Sequence, residues 1–238
     1  MTKIDRRAFI KYSSAVGAAA ALATTGVMAA AQETVPGQQN GRMALLMDNS
    51  LCVNCQACRV ACQNENSLPV REKYIRFDHV DGGTWPNVTH HVNRHSCQHC
   101  ADAPCVEICP VEALFKGPEG FTHMDFEACI GCGACQMVCP FDVPMMSEDP
   151  ASGDPKMYKC TACRHLVSEG RKPACATTCI TNAVDYGPWH EMLSKAEKRV
   201  AVLRKQHPQA NVYGRTQQDG LGLLLILRTP AEDYPHLV

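Results

Sequence analysis

Cys129-Ile130-Gly131-Cys132-Gly133-Ala134-Cys135-Gln136-Met137-Val138-Cys139-Pro140 spaces four cysteines as C-x2-C-x2-C-x3-C and closes on proline. A tight C-x2-C-x2-C loop reaches three corners of a tetrahedral thiolate set from one chain segment. The small residues Gly131, Gly133 and Ala134 suit a backbone that passes close to sulfur and offers it N–H groups. The fourth cysteine stands about one helical turn further on, at roughly 3.6 residues per turn, so it faces away from the first three and serves a neighbouring set.

Three more sets share this layout. Cys52, Cys55, Cys58 and Cys62 repeat the spacing unchanged. Cys97, Cys100, Cys105 and Cys109, then Cys160, Cys163, Cys175 and Cys179, lengthen only the gap before the third cysteine, to four and eleven residues. All 16 cysteines fall between Cys52 and Cys179. A disulfide framework has no reason to repeat C-x2-C and x3-C in every set. A zinc site needs two C-x2-C pairs and would leave the extra cysteine of C-x2-C-x2-C idle. Four [4Fe-4S] clusters use every thiolate, and this is the spacing of bacterial ferredoxins.

The flanking segments pair the sets. Ala113–Phe115, a Gly117–Gly120 turn and Phe121–Met124 read as a hairpin joining the second and third sets. Apolar strands at 43–47 and 183–186 flank the first and fourth sets in the equivalent places. The fold class is therefore α+β, with two nested bacterial-ferredoxin-like modules of short hairpins and short helices, followed by a C-terminal helix and strand. The iron–sulfur domain is placed at 42–187, with an outer module (42–65 and 157–187) around an inserted one (92–145), and the tail at 188–238. Exchange of last cysteines then assigns Cys52, Cys55, Cys58 and Cys179 to site I, and Cys160, Cys163, Cys175 and Cys62 to site II. Site III takes Cys97, Cys100, Cys105 and Cys139, and site IV takes Cys129, Cys132, Cys135 and Cys109.

Around this core the chain gives little other chemistry. Its 23 Lys and Arg nearly balance 24 Asp and Glu, so no basic field points to nucleic acid. Arg6-Arg7, Phe9, an Ala-rich stretch and Ala29-Ala30-Ala31 lay out a twin-arginine signal peptide over 1–31, which implies export of a folded, cofactor-loaded protein to the periplasm. No run elsewhere is long and apolar enough for a direct membrane span. The segment 188–205 reads as an amphipathic helix and Leu221–Leu227 as a buried strand. His90, His91, His95 and His99 suit no simple ligand set and are expected to be hydrogen-bonding or surface residues. Met145 and Met146 are expected to pack. Lys159, Arg164 and His165 either bias a neighbouring site by their charge or form a solvated face.

The order of the four sets, their nesting and the eleven-residue gap resemble the iron–sulfur subunits of the dimethyl sulfoxide reductase family of molybdopterin oxidoreductases. Gln98-His99-Cys100, Ala103-Pro104-Cys105 and Gly170-Arg171-Lys172-Pro173-Ala174-Cys175 are similar to that family's motifs, and Ile180 stands where it commonly has proline. The resemblance implies a subunit with no catalysis of its own. It would relay electrons between a molybdopterin-containing catalytic subunit (a formate dehydrogenase or anaerobic respiratory reductase) and a membrane quinone-reactive or cytochrome subunit. Site I would lie nearest the pterin, and the chain would reach the membrane through its partner. Other members serve hydrogenase or nitrite reductase systems, and a soluble multi-cluster ferredoxin carrier is the alternative.

Overall fold

The structure is a computed structural model that describes residues 41–237; the signal segment at 1–31 lies outside the described residues. In chain order the first elements are β1 (Met43–Asp48), α1 (Ala57–Glu65), β2 (Arg76–Thr84), β3 (Asn87–His95), α2 (Pro104–Glu107), β4 (Leu114–Lys116), β5 (Thr122–Met124) and α3 (Ala134–Met137). They continue with β6 (Met145–Glu148), β7 (Pro155–Tyr158), α4 (Arg164–Ser168), α5 (Ala174–Thr177), β8 (Val184–Pro188), α6 (Trp189–Leu203), β9 (Asn211–Tyr213) and β10 (Leu223–Leu227). Small antiparallel hairpins and short helices make this the α+β architecture read from the sequence.

A four-stranded sheet, ordered β8-β1-β10-β9, organises the rest. β1 runs antiparallel to β8, with Leu45 opposite Tyr186, and parallel to β10, with Leu45 opposite Leu223. Parallel neighbours need a crossover, and here the crossover includes the entire cysteine-bearing region. β1 and β10 are apolar on both faces because both faces are covered. Ala44, Leu46, Leu224 and Ile226 point to α6 and meet its Trp189, Met192, Leu193, Ala196, Val200 and Leu203. Each of the larger side chains contributes about 1.5–3 kcal/mol by leaving water, as an upper estimate. Leu45, Met47, Leu223, Leu225 and Leu227 point the other way, into a core shared with Cys58, Cys62, Cys97, Cys160 and Cys175. The sheet thus divides an ordinary helix-on-sheet core from the thiol-rich region.

Three separate hairpins complete the fold. β4 and β5 pair around the turn at 117–120, where the Gly120 N–H donates to Gly117 O (3.0 Å). β6 and β7 pair with Met146 opposite Met157, and both methionines pack beside Cys135. β2 and β3 form a longer ribbon that the sequence reading did not anticipate. Its root, from His91 to His95, is buried, while the Trp85-Pro86 tip is exposed.

Candidate iron–sulfur centres

Each set of cysteines sits on the same local backbone device. The residue before the second cysteine is left-handed in all four: Asn54 (φ 53°), His99 (51°), Gly131 (67°) and Ala162 (52°). Such a turn rotates successive N–H groups inward, making a concavity for negative charge. The Ala162 N–H accordingly donates to Cys160 Sγ at 3.4 Å. Short helices then carry the third cysteines: Cys105 on α2, Cys135 on α3 and Cys175 on α5, while α1 holds both Cys58 and Cys62. Three residues past the last cysteine the chain turns left-handed again at Glu112, Asp142 and Asn182. Their N–H groups donate to Cys109 O (3.3 Å), Cys139 O (3.3 Å) and Cys179 O (3.2 Å).

The structure brings Cys52, Cys55, Cys58 and Cys179 around one pocket. Cys97, Cys100, Cys105 and Cys139 surround a second. Cys109, Cys129, Cys132 and Cys135 surround a third. Cys62 faces Cys160, Cys175 and Cys163, and the Asn66 Nδ2 donates towards both Cys62 Sγ (3.6 Å) and Cys163 Sγ (3.8 Å). All 16 cysteines are free thiols. The four groups also lie near one another in series, with Cys58 electrostatically coupled to Cys175, Cys160 to Cys97, and Cys105 to Cys135.

Burial pushes most of these thiols upward, Cys105 and Cys160 to about 12, and neighbouring sulfurs add to it by disfavouring a second negative charge. Cys179 moves down instead: burial is outweighed by hydrogen bonds from the Val184 N–H (3.4 Å) and Thr181 Oγ1. Thiols that stay protonated on their own become ligands when a bound metal displaces the protons. Buried cations stand ready for the resulting charge. Lys159 is buried and donates to Thr122 O (2.6 Å) and Cys160 O (3.0 Å). Converging thiols, apolar walls and inward N–H donors fit [4Fe-4S] clusters.

The remaining candidates resolve into other roles. Arg164 lies over the Phe115 ring (4.9 Å), and His165 pairs with Glu65 (2.8 Å) at the surface. His99 is fully buried; burial and Lys159 hold it neutral, and its Nδ1 accepts the Thr122 N–H (3.2 Å). His90 is exposed and pairs with Asp81, whereas His91 packs edge-on against Tyr234. Asp78, His95 and His236 gather three ligand-type atoms within 4.8 Å. The two imidazoles stack, however, at 4.1 Å and 19°, so their in-plane lone pairs do not converge on one ion. The sequence reading missed Arg94, which lies fully buried among the outer cysteines.

Comparison with known proteins agrees with this chemistry. Residues 88–188 match a 4Fe-4S dicluster domain, and residues 3–23 match the twin-arginine translocation pathway signal sequence, which directs export. The chain is 34% identical over 164 residues to the B subunit of the anaerobic dimethyl sulfoxide reductase of Escherichia coli, covering 66% of this chain and 78% of that one. It is 32% identical over 215 residues to the iron–sulfur subunit of the nitrate-inducible formate dehydrogenase of Escherichia coli, covering 82% and 70%. A Nitratidesulfovibrio vulgaris protein is 29% identical over 249 residues; the match takes in 95% of this chain but 65% of that relative's length. The chain carries [4Fe-4S] clusters and belongs to the family of iron–sulfur subunits that includes the dimethyl sulfoxide reductase B subunit and its formate dehydrogenase counterparts.

Proposed function

We propose that the chain is a non-catalytic electron-transfer subunit holding four [4Fe-4S] clusters in the order I, II, III, IV, with the ligand sets assigned above. It would link a molybdopterin-containing catalytic subunit to a membrane quinone-reactive or cytochrome subunit on the periplasmic side. When bound, each cluster supplies one-electron storage at a potential fixed by its surroundings.

The observation that carries this reading is the asymmetry between the ends and the middle of the series. At site I, Cys55 is exposed and Val53, which lines the cavity, is 63% exposed. At site IV, Cys132 is exposed and Ile130, also in the lining, is 58% exposed, with Met137 nearby on α3 at 88%. Around site II the cysteines Cys62, Cys160, Cys163 and Cys175 are all buried. Two terminal sites, each with an exposed cysteine and an apolar rim, and between them the buried thiols of site II and the buried or half-buried ones of site III, suit a path that enters from one partner and leaves to another. The chain's residues supply the ligands, donate N–H groups to sulfur and keep water from the middle of the path. No helix among the described residues is long and apolar enough to cross a membrane, so membrane contact would come through the partner.

Iron, acid-labile sulfide and zinc per chain, measured on anaerobically purified protein with its co-eluting subunits, test the proposal. About 16 iron and 16 sulfide, in a complex that survives size exclusion, support it. A loaded chain that elutes at its own mass supports a free carrier instead, and zinc without iron overturns the ligand assignment.

A further inference from the structure

Arg94, near the end of β3, is fully buried, with no side-chain exposure at all. Its Nε donates to Ser96 Oγ at 2.9 Å, yet Nη1 and Nη2 have no oxygen or nitrogen partner among the described residues. A guanidinium does not give up its proton, and an uncompensated buried charge is costly. Backbone carbonyls cap buried Lys159, whereas no carbonyl caps the Arg94 Nη nitrogens. What faces Arg94 instead is sulfur. The side chains that bear on it are those of Cys175, Cys160 and Cys58. Cys58, Cys62 and Cys160 likewise have Arg94 among the groups near them. Cys58 belongs to site I; Cys62, Cys160 and Cys175 belong to site II.

We propose that Arg94 is a counter-cation shared by sites I and II, and that it raises the reduction potential of both. This rests on the ligand sets proposed above. Reduction brings one electron from an external reductant to an already anionic group; no bond forms or breaks, and no proton is required. A fixed positive charge in a water-poor interior attracts the reduced form more strongly than the oxidised form. The two Nη nitrogens, with no oxygen or nitrogen partner, lie in a neighbourhood that includes Cys58 of site I and Cys160 and Cys175 of site II. Its charge also bears on His99, between Cys97 and Cys100 of site III, and its Nε holds Ser96 next to Cys97, so site IV serves as the internal control. Arg94 is thus a positioning residue for charge between sites I and II, with site IV as the internal control.

The test uses the full chain, loaded anaerobically and kept with its co-purifying subunits. Arg94→Met, Arg94→Gln and Arg94→Lys are titrated potentiometrically with dithionite and followed by electron paramagnetic resonance. Signals of sites I and II are identified as those removed by Cys52→Ser and Cys62→Ser. In Arg94→Met the reduction equilibrium constants of sites I and II should fall about tenfold, or about 59 mV for a one-electron couple, while that of site IV stays put. Arg94→Lys should keep them within about threefold, about 30 mV by the same conversion. Unchanged midpoints, or a common shift of all four, overturn the proposal. If the Met variant does not load, the Lys and Gln variants decide, because equal potentials in a charged and a neutral replacement also overturn it. Wild-type iron far below about 16 per chain would instead count against the four-site reading, before any substitution is made.

Discussion

Replacing Cys62 by Ser tests the crossing of ligands between sequence sets. Cys62 follows Cys52, Cys55 and Cys58 in sequence, but its side chain lies against Cys160, Cys175 and Cys163 and shares the Asn66 amide with Cys163. It is 5% exposed, so no solvent ligand has a direct route to replace it. Serine removes the soft thiolate and leaves a hard, weakly acidic hydroxyl in a pocket that disfavours charge. Site II should therefore lose its cluster, and iron should fall by one quarter, from about 16 to about 12 per chain. Electron paramagnetic resonance of the reduced protein should lose the same signal in Cys62→Ser as in Cys175→Ser. The signal lost in Cys58→Ser should differ and should survive in Cys62→Ser. If Cys62→Ser instead matches Cys58→Ser, the set is local and the crossing is wrong.

Three further outcomes follow from local geometry. Gly131→Ala should remove the site IV cluster, because φ is +67° and the new Cβ would run into the Pro155 carbonyl; Gly133→Ala, left-handed but with nothing within 4 Å, should keep it and cost only about 1 kcal/mol. Iron analysis of the two variants separates them. Trp189→Phe removes the indole N–H that donates to Leu221 O at 2.8 Å and should destabilise the chain by about 1–3 kcal/mol in thermal unfolding without altering iron content. Asp185 resists protonation down to about 2: burial opposes this, but Lys195 (2.5 Å), the Tyr186 N–H and Lys172 (3.2 Å) outweigh it. A carboxylate with a lowered folded-state pKa stabilises above the ordinary range and loses that contribution as pH falls from about 4 towards 2. Asp185→Asn should therefore cost about 1 kcal/mol, allowing for screening of the partly exposed lysines, and equally at pH 7 and pH 5.

The cysteine spacing carried much of the fold because a cluster fixes ligand geometry more tightly than packing fixes a helix. The hairpin at 114–124 was legible from its glycine turn, and the helix at Trp189–Leu203 from its apolar period. The parallel pairing of β1 with β10 was not, since an apolar run announces burial but not its neighbour, and Leu45 and Leu223 are 178 positions apart. The β2–β3 ribbon was hidden because its outer half is exposed, so His79, Asp81, Thr89 and His90 blur any alternation of polar and apolar residues. Arg94 was missed for a related reason. Set among His90, His91, Asn93 and His95 it looks like solvated surface, and charged residues are rarely buried unless paired. Its partners are thiols brought in from sites up to 81 residues away, as at Cys175, and no local pattern shows them.

The same burial implies an order of assembly. In the cluster-free chain most thiols are held neutral, Cys160 up to about 12, so the sulfurs do not supply negative charge unaided. Arg94 would then sit buried without a counter-ion, and the cysteine-lined cavities would lack the group that joins their walls. Removing one partner of a buried charge pair typically costs about 3–5 kcal/mol, a large share of the total stability of a domain this size. The cysteine region should therefore fold with cluster insertion, while the α6-covered sheet, whose core contains no cysteine, is less dependent on it. A twin-arginine signal suits such a chain, because loading can be completed before export. Iron-starved cells should accumulate cytoplasmic precursor that proteases cut between residues 49 and 182, and restored iron should rescue both protection and export. Iron-free protein as protease-resistant as the loaded form, with the same near-ultraviolet circular dichroism from its aromatic residues, would show that the cavities hold their shape unaided and would refute the coupling.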